Sequence, residues 1–125
     1  MLKRILYIFI LFSFISCEKH LDEKIFKNGD ILVKWYRVSA ISTVHDHVDL
    51  ERWGYSENIL KSNTGGIYDV KIDKDTVTIR ILPGLLIYDL IALKHNCHVK
   101  IDSTVTKYDY MKKFQPKNAK YYVGQ

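Results

Sequence analysis

His45 and His47 stand two apart in a chain that holds five histidines. On an extended strand, residues i and i+2 share a face. Both imidazoles would therefore point the same way, with Asp49 next along that face. Three converging groups of this kind can hold zinc, and a zinc with an open position activates water. His45, His47 and Asp49 are the candidate metal ligands, and a metal-binding protein or metal-dependent hydrolase is the function they would support. His95 and His98 lie near Cys97 and would supply further donors. The alternation works against a joint site, because it sends Cys97 inward and His98 outward. The plainer reading is a row of polar residues on the wet face of a sheet. That reading is the expectation, with no metal and no cofactor.

Other chemistry is weaker still. A nucleophilic Cys97 needs a nearby base and a lowered pKa, whereas a free cysteine commonly behaves as a small buried hydrophobe. Asp46, Asp49, Glu51, Asp69, Asp73 and Asp75 offer carboxylates for a glycosidase-type pair, but nothing marks any two of them. Asp73 and Asp75 belong to a turn, where Asp is favoured for its local hydrogen bonds. The sequence has no glycine-rich phosphate loop, serine nucleophile elbow or HExxH motif. The expectation is a non-enzyme with no assigned catalytic residue.

The N-terminus carries the clearest signal. Lys3 and Arg4 precede an apolar run from Ile5 to Ser16, and the chain turns polar directly after Cys17. A cationic head, an apolar middle and a small residue at the cut make an export signal. The apolar run would be roughly 18 Å long as a helix at about 1.5 Å per residue, too short for a hydrocarbon core of about 30 Å. The motif Phe14-Ile15-Ser16-Cys17 resembles that of bacterial lipoprotein signals, with Phe14 standing where Leu is usual. The resemblance covers about the first 17 positions. It implies cleavage before Cys17 and acylation of Cys17 by diacylglycerol and often a further chain such as palmitate. One acyl chain holds only marginally, while two or three hold stably. Glu18, rather than Asp, after the cysteine points to the outer membrane. Asp22-Glu23 resembles the short charged tethers that route some lipoproteins to the cell surface, so periplasmic and surface exposure both stay open. An ordinary cleaved signal and an uncleaved membrane anchor are the competing readings.

Composition bounds the rest of the chain. Loss of Lys3 and Arg4 takes the formal charge from +5 to +3, too mild to argue for nucleic acid. With Cys17 acylated, Cys97 has no disulfide partner within the chain, so a hydrophobic core must hold the domain. The division expected is residues 1–16 as signal peptide, 17–28 as lipidated N-terminus and tether, 29–114 as one β domain and 115–125 as a basic C-terminal tail.

The elements that position these residues are mostly strands. Asn28-Gly29 marks a turn, and 30–41 a strand. Residues 43–50 continue that strand or begin the next, with Val44, Val48 and Leu50 on its apolar side and Asp46 interrupting it. Residues 59–62 form a short strand ended by Asn63-Thr64-Gly65-Gly66. Residues 67–82 are a hairpin about Asp73-Lys74-Asp75. Its first arm places Tyr68, Val70 and Ile72 on one face, and its second places Val77, Ile79 and Ile81 inward. Residues 85–93 are strongly apolar and fit a fully buried strand, with a short buried helix as the alternative that periodicity leaves open. His95-Asn96 turns the chain into a last alternating strand, and 108–114 adds a helical turn. At least one member of each pair Trp35/Tyr36 and Trp53/Tyr55 is expected in the core. Seven or so short strands with frequent turns predict a mainly β fold, a small antiparallel sandwich or barrel. The function expected is a small envelope lipoprotein with a non-catalytic binding or accessory role. Its partners would be the membrane, through Cys17, and an envelope protein. An inhibitor or immunity-type lipoprotein is a further alternative.

Overall fold

The computed structural model describes residues 19–114. Cys17, the signal peptide and the tail 115–125 lie outside the described residues. Two sheets form a β-sandwich-like domain and do not close into a barrel. The first sheet has the order β1 (Lys19–Asn28), β2 (Ile31–Ser39), β3 (Val44–Arg52), β4 (Tyr55–Asn63) and β7 (Ile87–Leu90). The second has the order β5 (Ile67–Asp73), β6 (Thr76–Ile81), β9 (Cys97–Asp102) and β8 (Leu93–Lys94). All neighbours are antiparallel except β6 and β9. That parallel pair exists because the chain crosses to the first sheet for β7 before it returns. A helix, α1 (Lys107–Phe114), follows β9.

Period-two alternation builds the core. Ile31, Val33, Val48, Leu50 and Leu60 of the first sheet face Ile67, Val77, Ile79, Cys97 and Val99 of the second. Burying each of the large aliphatic side chains contributes about 1.5–3 kcal/mol. Ile59 and Leu60 are adjacent yet both buried. The register explains it: Val48 pairs with Leu60 and Asp49 with Asn58, so Ile59 is the extra residue of a bulge. Two tight hairpins carry left-handed residues at both turn positions, Trp53-Gly54 and His95-Asn96. This is the turn type whose twist matches the flanking strands.

Several expectations change. Residues 19–28, expected as tether, form the edge strand β1 paired along β2. Ile25 and Phe26 supply apolar bulk there, and a bulge falls between Leu21 and Lys24. The apolar run 85–93 is not a buried strand: its centre is the short edge strand β7, where Tyr88 and Leu90 are exposed. A bulge between Ile67 and Asp69 shifts the first arm of the 67–82 hairpin, so Ile67 and Val70 are buried while Tyr68 is not. Trp35 and Tyr36 are both buried, as the expectation of at least one core member allows, but Trp53 and Tyr55 are both exposed, against it. A left-handed turn position swings Trp53 out of the alternation. No helix among the described residues is long and apolar enough to cross a membrane.

Candidate functional site

The histidine pair lies where the alternation put it, on the outer face of the first sheet. Its groups are engaged in two separate contacts. His47 stacks on Tyr36 at 5.6 Å, and Tyr36 in turn stacks on His20 at 4.4 Å. The Tyr36 hydroxyl donates to Asp49 Oδ2 at 2.8 Å. Asn58 Nδ2 donates to Asp49 Oδ1 at 2.9 Å and lies 3.2 Å from His47 Nδ1. His45 instead meets the edge of Tyr88, whose hydroxyl donates to Asn63 at 2.6 Å. Tyr36 and Asn58 thus take up both oxygens of Asp49, and His45 turns to the opposite side. Among the described residues no group of three His, Cys, Asp or Glu converges as a metal site would require.

Cys97 points inward and His98 outward, on opposite faces of β9. Burial pushes the Cys97 thiol up, and the nearby Arg52 charge only partly offsets that. The protonated thiol is the poorer nucleophile. Its hydrogen bond runs to the His95 carbonyl at 3.6 Å, not to an imidazole. Arg52 occupies this end of the sandwich as a junction. It donates to Asp30 at 3.0 Å, Asp75 at 3.0 Å, the His95 carbonyl at 3.1 Å and Cys97 Sγ at 3.3 Å. Its guanidinium lies 4.4 Å from the Trp53 ring centre. One side chain on β3 therefore holds the β1–β2 turn, the β5–β6 turn and the β8–β9 hairpin together. Asp30 is held below the usual carboxylate range, first by the Arg52 hydrogen bond.

Among the described residues, a site with room for a ligand lies elsewhere. A half-open cleft of about 410 Å³ is lined by Asp22, Glu23, Lys24, Trp35, Arg37, Asp46, Tyr110 and Phe114. The β1 bulge makes its rim, with Asp22 in the left-handed region. The inward faces of β2 and β3 make its floor, and α1 makes its far wall. Thr106 caps α1 by accepting the Asp109 N–H at 3.1 Å. The Lys113 ammonium ties the helix to β5 by donating to the Tyr68 carbonyl at 2.7 Å. Asp46 is 1 % exposed, the buried carboxylate of the cleft. It accepts from Arg37 Nε, Thr64 Oγ1 and the Gly65 N–H, each at 3.3 Å. Gly65 delivers that N–H from a left-handed backbone, a conformation open to glycine. Arg37 also reaches Asp22 at 3.6 Å and keeps 35 % of its side chain exposed. The Lys24 ammonium lies over Trp35 at 4.4 Å and Phe114 at 4.7 Å. Burial, then the Asp46 charge, pushes the Tyr110 hydroxyl pKa up. The cleft thus offers two cations, one of them seated on aromatic rings, and a carboxylate rim, a composition suited to holding a polar ligand by charge.

Sequence reasoning missed this cleft. Its one visible signal was Asp46, a carboxylate on the apolar side of β3. A charged group there needs a buried partner, and the cross-strand neighbour Arg37 is that partner. No family model, curated protein or solved structure matches the chain.

Proposed function

We propose that this chain is a small lipid-anchored protein of the cell envelope with a non-catalytic binding role, and that the cleft between β1, β2, β3 and α1 is where it binds. The observation that carries the anchor is Ser16-Cys17 at the end of the apolar run, just ahead of a domain whose first strand begins at Lys19. Two or three acyl chains on Cys17 would hold the domain at the membrane, most consistently the outer one. The cleft supports binding because it sets Arg37, Lys24 and the carboxylates of Asp22 and Glu23 around a space open to solvent.

Intact mass and membrane partition, wild type beside Cys17→Ser, test the anchor. The expected result is loss of residues 1–16 plus acyl chains, with both mass gain and partition abolished by the substitution. A photoreactive residue at Glu23 on the cleft rim tests the binding role in intact cells. It is expected to trap a defined partner or ligand, while the same group at Lys71 on the outer face of the second sheet does not. Turnover of an envelope substrate by the purified protein would sink the non-catalytic reading.

A further inference from the structure

We infer that the end of the sandwich bearing Ile41 lies against the lipid bilayer, where the β2–β3 turn makes a second membrane contact beside the acyl anchor. This rests on the lipidation of Cys17 proposed above. β1 begins at Lys19, two residues beyond Cys17. Two extended residues reach about 7 Å at most. A lipid on Cys17 therefore holds the start of β1 at headgroup level, with no length for a spacer.

Register fixes what else lies at that end. Lys19 pairs with Ser39, Ser39 with Val44, His45 with Asn63, and Ser62 with Ile87. The start of β1, the β2–β3 turn, the end of β4 and the start of β7 form one edge. Three apolar side chains are exposed along it: Ile41 at 100 %, Leu86 at 52 % and Val44 at 41 %. A single exposed aliphatic needs no explanation. Here all three lie on the edge that a two-residue tether would press to the surface. Ile41 tops a turn closed by the Ala40 N–H donating to the Thr43 carbonyl at 2.8 Å. That turn, Ala40-Ile41-Ser42-Thr43, carries no charge, so nothing in it resists the headgroup layer or is repelled by anionic lipid. The opposite end carries Asp30, Asp75 and Trp53, and strands of nine residues put it about 30 Å away.

The test uses full-length protein expressed with its leader, checked by intact mass and reconstituted into phosphatidylcholine–phosphatidylglycerol vesicles with brominated acyl chains. The indole introduced by Ile41→Trp is expected to emit at shorter wavelength and to lose more than half its emission to the bromines. Leu86→Trp, a second reporter, is expected to be quenched more weakly. Wild-type protein, with Trp35 buried and Trp53 at the far end, serves as the control and stays unquenched. An acylated protein whose indole at position 41 remains unquenched would overturn this inference and leave the anchor standing. A mass without acyl chains would overturn both.

Discussion

Arg37 and Arg52 sit on neighbouring strands at opposite ends of the sandwich, and they differ in what they hold. Arg52 has four acceptors, and its two carboxylates, Asp30 and Asp75, keep 52 % and 62 % of their side chains exposed. Arg37 has two carboxylate partners, and one of them, Asp46, is 1 % exposed. If Arg52 is removed, Asp30 and Asp75 return to water. If Arg37 is removed, Asp46, 1 % exposed, keeps only two neutral donors. The number of bonds favours Arg52, but the energetics favour Arg37, because the cost of a broken pair is the charge left behind. The difference also separates roles. Arg52 closes its end by tying three turns together. Arg37 leaves its end open, with a guanidinium fixed on one side by Asp46 and exposed to the cleft on the other.

The largest effect expected from this contrast is at Arg37. Breaking a buried ion pair by removing one partner costs about 3–5 kcal/mol. Arg37→Leu is expected at the low end, about 3 kcal/mol, since solvent reaches part of the guanidinium. Urea denaturation measures it. The double variant Arg37→Leu, Asp46→Leu is expected to recover most of that loss, because no orphaned charge remains. Additive losses in the double variant would show that the pair itself, and not the stranded carboxylate, sets the cost.

Arg52→Leu comes next, with a smaller fall in midpoint than Arg37→Leu and a different location. Its loss should free the β8–β9 hairpin, so amide exchange at Cys97 and Val99 speeds up while exchange in β2 and β3 does not. A midpoint falling further than for Arg37→Leu would reverse the comparison.

The same contrast marks what the sequence could disclose. Alternation alone placed Val77, Ile79 and Ile81 inward, His98 outward and Cys97 in the core, because a sheet with one wet face enforces period two. It also placed His45, His47 and Asp49 on one face. It could not show that Tyr36 and Asn58, from two flanking strands, occupy Asp49, since cross-strand partners depend on register. Bulges are a further feature that alternation cannot show. Those at Ile59, Tyr68 and between Leu21 and Lys24 each shift the pattern by a residue or more. Charge misled at β1, where Asp22-Glu23-Lys24 belongs to an edge strand. Edge strands tolerate such residues because one side of the ladder meets solvent. The cleft was illegible for a further reason: its walls come from β1, β2, β3 and α1, brought together only by the fold.

The smallest effect expected is with pH, and it tests whether Arg52 works through Asp30. The Arg52 hydrogen bond holds Asp30 below its unfolded value, near 3.9 for an ordinary aspartate. A carboxyl depressed in the folded state contributes stability above the unfolded pKa and loses it as pH falls through the folded one. The difference in thermal midpoint between wild type and Arg52→Leu should therefore be full at pH 6 and narrow toward pH 3. Asp30→Asn should remove most of that narrowing, because the pair then has no proton to gain at this position. A difference that stays constant from pH 6 to pH 3 would mean that Arg52 acts through neutral groups, the His95 carbonyl and the Trp53 ring. Closure of that end would then be a matter of packing and backbone capture, not of ion pairing.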